Sequence, residues 1–334
     1  MVKYIYDMSK LLPGDIILTK DPNSELSRRV MTSTKSDYSH AMIYVRDSSC
    51  IGAEKRVQAR NLARILFDDP KDTCVLRIKK EYLTPITITA AINYARTVVG
   101  NPYSMADALR LEMGRTDNST FDTQICTRLV AKAFESSGLN IVDNVEMCTP
   151  QEILESKFVD KYKDFLRVAN DFDIRFAESY DVTEDMRKST EKLFDSLKTI
   201  NGGKIRSFQA LTNYVIEHPE IDETVCGLLQ KSGYLNVLKI EEKKNTYNYD
   251  QEVFIDFYGE DNAYNAAISA LEVNQRGVSD YEDECMDLTK KFFASGCKLR
   301  YLIMMIELYK QIVEQYKRRI RVCNEVKSAL AVKR

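Results

Sequence analysis

The spacing of apolar residues changes period near residue 175, and that change limits the fold more than any single motif. Before it, strand-length stretches alternate or run apolar; after it, apolar residues recur at helical spacing almost without interruption. A chain of 334 residues has room for two domains on a scale of about 150 residues each. The change of period places the boundary.

In the first part, Pro13-Gly14 marks a turn and "DIILTK" a strand, and "SELSRRVMTST" follows as a short helix. "HAMIYVR", "SCIGAE", "RVQAR" and "TCVLRIK" then read as strands. "ITITAAINYARTVVG" predicts a helix ended by Gly100, and "YSMADALRLEM" another. "TQICTRLVAKAFESSG" predicts a third helix, with Ile125, Leu129, Val130, Ala133 and Phe134 on one stripe and Gly138 at its close. Together these predict an α+β domain over residues 1–175, a curved antiparallel sheet with helices packed against it.

Residues 176–334 predict an all-α domain. Thr183 reads as the cap of a helix that stops at Asn201-Gly202-Gly203. "YNYDQEVFIDFYGEDNAYNAAISALEVNQ" reads as one segment, and 281–332 as a long terminal stretch. No repeat of fixed period is present, so a solenoid is not expected. The helical domain is either a substrate lid or a partner-binding module.

Composition narrows the function. A net charge of −2 provides no basic field for nucleic acid. No apolar run reaches the ~18 residues of a membrane span, and the amino terminus lacks a signal-peptide core. A cytoplasmic location is expected, with export by a specialised secretion system left open. The eight cysteines form no CxxC pair, so free thiols are expected. Two histidines far apart provide no ligand set, so neither metal nor other cofactor is expected.

Three residues carry the candidate chemistry. Cys126 stands where a loop gives way to a helix, near unsatisfied N–H groups and the positive end of the helix dipole. That setting favours a thiolate, and the same amides suit an oxyanion. His40 opens the strand "HAMIYVR", sharing a face with Met42 and Tyr44 while Ala41, Ile43 and Val45 share the other. A tight turn at "RDSS" places Glu54 opposite His40, give or take one residue. A carboxylate there would fix the imidazole tautomer and raise its basicity. Nucleophile, base and orienting group together make the set that thiol catalysis requires. Taken singly, each has a plainer reading as a packed or solvated side chain.

The ordered segments "LLPGDIIL", "YSHAMIYV", "GAEKRVQARNL", "GNPYS" and "ICTRLVAKAFESSGLNI" resemble the permuted papain-like amidases of the NlpC superfamily. The likeness is to YiiX-like cysteine hydrolases and, more distantly, to lecithin:retinol acyltransferase. It covers roughly residues 10–145. The resemblance implies a permuted papain-like fold for the first domain, with Cys126 as nucleophile, His40 as base and Glu54 as its orienting group. It also implies a substrate-lining role for Tyr103. Ser104 and Thr127-Arg128 depart from the family pattern. Gln124 is a candidate oxyanion donor, and Arg128 a candidate for binding a substrate carboxylate or phosphate.

Three functions follow from these expectations. The first is an amidase or peptidase that cleaves a cell-wall-like or γ-linked peptide through a thioester. The second is a lipid acyltransferase or thioesterase with the same three residues, to which a basic terminal helix would add membrane-surface contact. The third is an inactive binding module, with the helical half meeting a protein partner.

Overall fold

The computed structural model describes residues 2–113, 124–201, 203, 205–296 and 298–331. The chain divides into two compact units, Met1–Ser179 with Arg206–Gln209, and Tyr180–Ile205 with Ala210–Arg334.

The first unit is mixed α and β. Its strands are β1 (Tyr4–Tyr6), β2 (Ile16–Thr19), β3 (His40–Arg46), β4 (Ser49–Ala53), β5 (Val57–Asn61), β6 (Thr73–Ile78), β7 (Val159–Tyr162) and β8 (Leu166–Val168). Its helices are α1 (Glu25–Thr34), α2 (Pro85–Thr97), α3 (Met105–Glu112), α4 (Cys126–Glu135), α5 (Pro150–Leu154) and α6 (Asp171–Glu178). Six strands form an antiparallel sheet in the order β5-β4-β3-β2-β6-β7, and β1 pairs with β8 apart from it.

The central position of β2 follows from its composition. Ile16 and Leu18 enter one core and Ile17 the other, so a strand with no polar face is buried on both sides. The turn before it is built for close contact. Gly14 has φ +88°, and a Cβ there would lie 2.3 Å from Ile88 Cδ1. Asp15, fully buried, accepts hydrogen bonds from the Leu12 N–H at 2.8 Å and from Arg77 Nε and Nη2 at 2.7 and 2.6 Å. The "PGD" stretch is thus a structural corner that fastens β2 to β6.

The β3–β4 hairpin has a tight turn in which Asp47 and Ser48 both take positive φ, 52° and 60°. At the turn Arg46 faces Ser49; a one-residue shift between Tyr44 and Arg46 then sets Tyr44 against Cys50 and Met42 against Gly52. The two sheet surfaces then differ. Ala41, Ile43 and Val45 pack with Ile51, Ala53 and the α4 residues Cys126, Leu129, Val130 and Phe134. Met42 and Tyr44 pack with Ile17, Cys50, Leu62, Phe67 and Tyr6 on the other surface. α4 is buried around nearly its whole circumference, so its stripe is wider than the sequence reading implied.

The second unit is helical: α7 (Val182–Asn201), α8 (Phe208–Glu217, begun in the first unit), α9 (Asp222–Ser232), α10 (Val237–Lys244), α11 (Gln251–Tyr258), α12 (Glu260–Ala294) and α13 (Arg300–Ala331). α12 and α13 pack antiparallel, Tyr281 against Tyr309 and Asn274 against Cys323. Among the described residues no helix is long and apolar enough to cross a membrane.

Four details differ from the sequence reading. β1, β7 and β8 were not expected; β1 and β8 meet across more than 150 residues, with Tyr4 opposite Val168, and no local pattern signals such a pairing. Asp181, rather than Thr183, caps α7, its carboxylate accepting from the Thr183 N–H at 2.9 Å. Gly259, at φ 78°, breaks the segment read as continuous into α11 and α12. Gly296, at φ +79°, likewise separates α12 from α13 inside the terminal stretch. Residues 119–123, the loop read as preceding Cys126, lie outside the described residues, as does Gly202.

Candidate active site

Cys126 is the first residue of α4, entered from Ile125 in extended conformation, and no side chain caps the helix there. The first turn is held in place by Thr127, whose hydroxyl donates to the Cys148 carbonyl at 2.6 Å. The sulfur is buried. Burial pushes the thiol pKa up to about 11, while the backbone N–H groups of Ala41, Thr127 and Cys126 itself pull it down and the Glu54 charge adds to the rise. The amides expected around the sulfur are therefore present, but desolvation outweighs them. Cys126 rests as a neutral thiol, contrary to the thiolate that its helix position suggested.

His40 is the first residue of β3, with Thr19 of β2 opposite it. The β3–β4 pairs end at Met42 and Gly52, and by strand alternation the His40 side chain shares their face of the sheet. The imidazole is half-buried, and its Nε2 is fully enclosed without a hydrogen-bond partner. A Cβ on Gly52 would lie 3.0 Å from that Nε2 and 2.8 Å from Met42 Cγ. The ring therefore occupies space that Gly52 leaves open, on the Met42 surface of the sheet. Cys126 packs with Ala41 on the opposite surface. Ala41, the residue next to His40 in the chain, packs in the same core as Cys126, and its backbone acts to lower the thiol pKa. Among the described residues no hydrogen bond joins His40 to Cys126 or to Glu54.

Glu54 is engaged elsewhere. Arg60 Nη2 lies 2.7 Å from each of its carboxylate oxygens, and Gln58 Nε2 donates to Oε2 at 3.2 Å. The electrostatics of His40 record this. Burial lowers its pKa to about 4; Glu54 acts to raise it, and Arg60 acts to lower it further. At neutral pH the ring is uncharged.

The supporting residues divide. Tyr103 and Gln124 are brought to the site: they form a parallel bridge, and the Tyr103 N–H donates to the Lys55 carbonyl at 3.0 Å, beside Glu54. Gln124, the candidate oxyanion donor, is buried; its Nε2 lies 3.4 Å from the Tyr94 hydroxyl, while its Oε1 is enclosed without a partner. Arg128 requires correction. Rather than facing a substrate, it is buried, with Nη2 donating to Asp107 at 2.9 Å and Nε to the Glu146 carbonyl oxygen at 2.8 Å. It joins α4 to α3, because a buried guanidinium must spend its donors on fixed acceptors.

Sequence reasoning missed Gly52 and Arg60. A glycine inside "SCIGAE" was the available signal for Gly52, since glycine within a strand often marks a close approach. Arg60 lies two strands from His40, and no local spacing reveals it. Among the described residues no cluster of three His, Cys, Asp or Glu side chains suits a metal ion. A scan against protein-family models finds no match for this chain, and a search of curated proteins finds none either.

Proposed function

We propose that the first unit is a permuted papain-like cysteine hydrolase, acting as an amidase or peptidase on a small cell-wall-like or γ-linked peptide. The observation that carries this reading is the Cys126 sulfur at the first residue of α4, where backbone groups of Ala41, Thr127 and Cys126 itself act to lower the thiol pKa. In the proposed reaction the His40 ring first turns around the strand end toward Cys126; it then takes the thiol proton as the sulfur attacks the amide carbon, and N–H groups at the start of α4 hold the oxyanion. The C–N bond then breaks, His40 returns the proton to the leaving amine, and water hydrolyses the thioester to an acid and the free thiol. Because both groups rest uncharged, the imidazole acts as a general base on a neutral thiol rather than as half of a standing ion pair.

The test is incubation of the full chain with wall-type and γ-linked peptides, read by mass spectrometry. Cleavage with a Cys126-linked acyl group that hydroxylamine releases supports the reading, and equal cleavage by Cys126→Ala overturns it. One observation favours a second reading, an inactive binding module: the imidazole and the sulfur lie on opposite sheet surfaces with no bond between them. Peptide binding without any cleavage by the wild-type chain would establish that alternative.

A further inference from the structure

Around Gly52 three side chains compete for one carboxylate. The ring of His40 lies over Gly52 from β3, Glu54 follows the end of β4, and Gln58, which pairs with Gly52, reaches in from β5. Arg60, on the same face of β5 as Gln58, takes both Glu54 oxygens at 2.7 Å. A single nitrogen, Nη2, reaches both oxygens, and Gln58 donates to Oε2 as well, so the donors on this carboxylate come from β5 and none from the ring. Two buried atoms in this small region lack partners, Nε2 of His40 and Nε of Arg60. That is the pattern of a polar network in which one member holds the acceptor another would use.

We propose that Arg60 is a positioning residue for His40: by clamping Glu54 it withholds the carboxylate from the imidazole and keeps the candidate site in a resting form, with Gly52 providing the slot in which the ring is parked. This rests on the hydrolase reading only for its consequence at Cys126. The clamp is a statement about His40, Glu54 and Arg60 and is measured on them directly.

The groups facing the ring are few. Thr19 comes from β2, Cys50 and Glu54 from β4 and its end, and Gln58 and Arg60 from β5, while α4 brings Cys126 to the neighbouring peptide. The two thiols are neutral, held up by burial. Glu54 and Arg60 are the charged groups acting on the ring, and they oppose each other.

The experiment is a titration of the full chain labelled with 13C-histidine, with His218→Asn used to assign the second signal. Arg60→Gln is expected to raise the His40 midpoint by at least one pH unit, since the freed carboxylate now faces the ring. The double variant Arg60→Gln/Glu54→Gln is expected to return toward the wild-type midpoint, an outcome that mere loosening of the fold does not produce. Gly52→Ala serves as an independent probe: filling the slot displaces the ring into a more solvated position and raises the midpoint as well. Peroxide protection of Met42, buried beside His40, verifies that each variant is folded. An unchanged or lowered midpoint in folded Arg60→Gln overturns the proposal, as does a double variant that titrates like the single one. The alkylation rate of Cys126 with iodoacetamide at pH 7 is read in parallel, with about a tenfold rise expected per unit of midpoint shift. A raised midpoint with no gain at Cys126 leaves the clamp standing and removes the link to the sulfur. The hydrolase reading itself stands or falls on the cleavage assay with Cys126→Ala, so the two failures are distinguishable.

Discussion

Acidification should destabilise the first unit through His40, and the size of the effect follows from its burial. The unfolded chain binds a proton at that residue near pH 6.5, whereas the folded chain does so only near pH 4. Between these values the unfolded state binds more protons, so stability falls as pH falls. The sign is that of a depressed pKa: the contribution is fully present above pH 6.5 and has been lost by about pH 4. A full separation of this size corresponds to about 3 kcal/mol, of which about 2.5 kcal/mol should already be lost at pH 4.5. Carboxylates elsewhere also titrate in this range, so the measurement is a difference between wild type and His40→Gln. The assay is the urea dependence of Met42 oxidation by peroxide, which reports opening of the β3 region without reference to the helical unit. Met42 is 1% exposed in the folded chain and reactive once it opens. The stability gap between the two proteins should shift by about 2.5 kcal/mol in favour of His40→Gln from pH 7.5 to pH 4.5. A gap that stays constant within ~0.5 kcal/mol would show that the imidazole is not desolvated as described, and the reasoning about its charge would fail.

Asp107→Asn should destabilise the first unit by about 3 kcal/mol, because Arg128 would stay buried and charged while losing its ion pair to Asp107; the urea midpoint measures this. Gly14→Ala should cost about 1–2 kcal/mol from the left-handed backbone alone, and more from displacing Ile88, again seen as a lower urea midpoint. If the chain turns over a peptide, Cys126→Ala should abolish that activity without lowering Met42 protection. Glu54→Gln should retain a measurable kcat, because it leaves the proton acceptor in place and removes a carboxylate that makes no bond to the ring, and steady-state kinetics separate the two variants.

Local chemistry made part of the site legible. The turn "RDSS" makes the β3–β4 hairpin readable, whereas the one-residue shift between Tyr44 and Arg46 that sets the final register has no signal in the spacing. The apolar stripe of α4 likewise showed that Cys126 begins a buried helix. Strand alternation even separated His40 from Ala41. What no spacing contains is which sheet surface a distant helix covers, and that fact sets the sulfur beside Ala41 rather than beside the ring. The same limit hid Arg60, since a side chain two strands away competes for Glu54 only once the sheet has formed. Burial misled the reading of Arg128 and of the thiol, because desolvation depends on neighbours far away in the chain. Glycine breaks were visible as letters, yet Gly259 and Gly296 were passed over inside long helical patterns.

The order of the six-stranded sheet has a consequence for self-association. A bare outer strand is a template for another molecule, and this sheet shields its two margins by different means. At the β5 margin the chain itself docks: the Val57 N–H donates to the Asn101 carbonyl at 2.8 Å and the Gly100 N–H to the Val57 carbonyl at 2.9 Å. At the β7 margin Asp160 and Lys161 project outward, so an approaching strand would have to strip water from opposite charges before pairing. Replacing that Asp-Lys pair with valines would leave the fold's interior untouched and expose a sticky rim to neighbouring molecules.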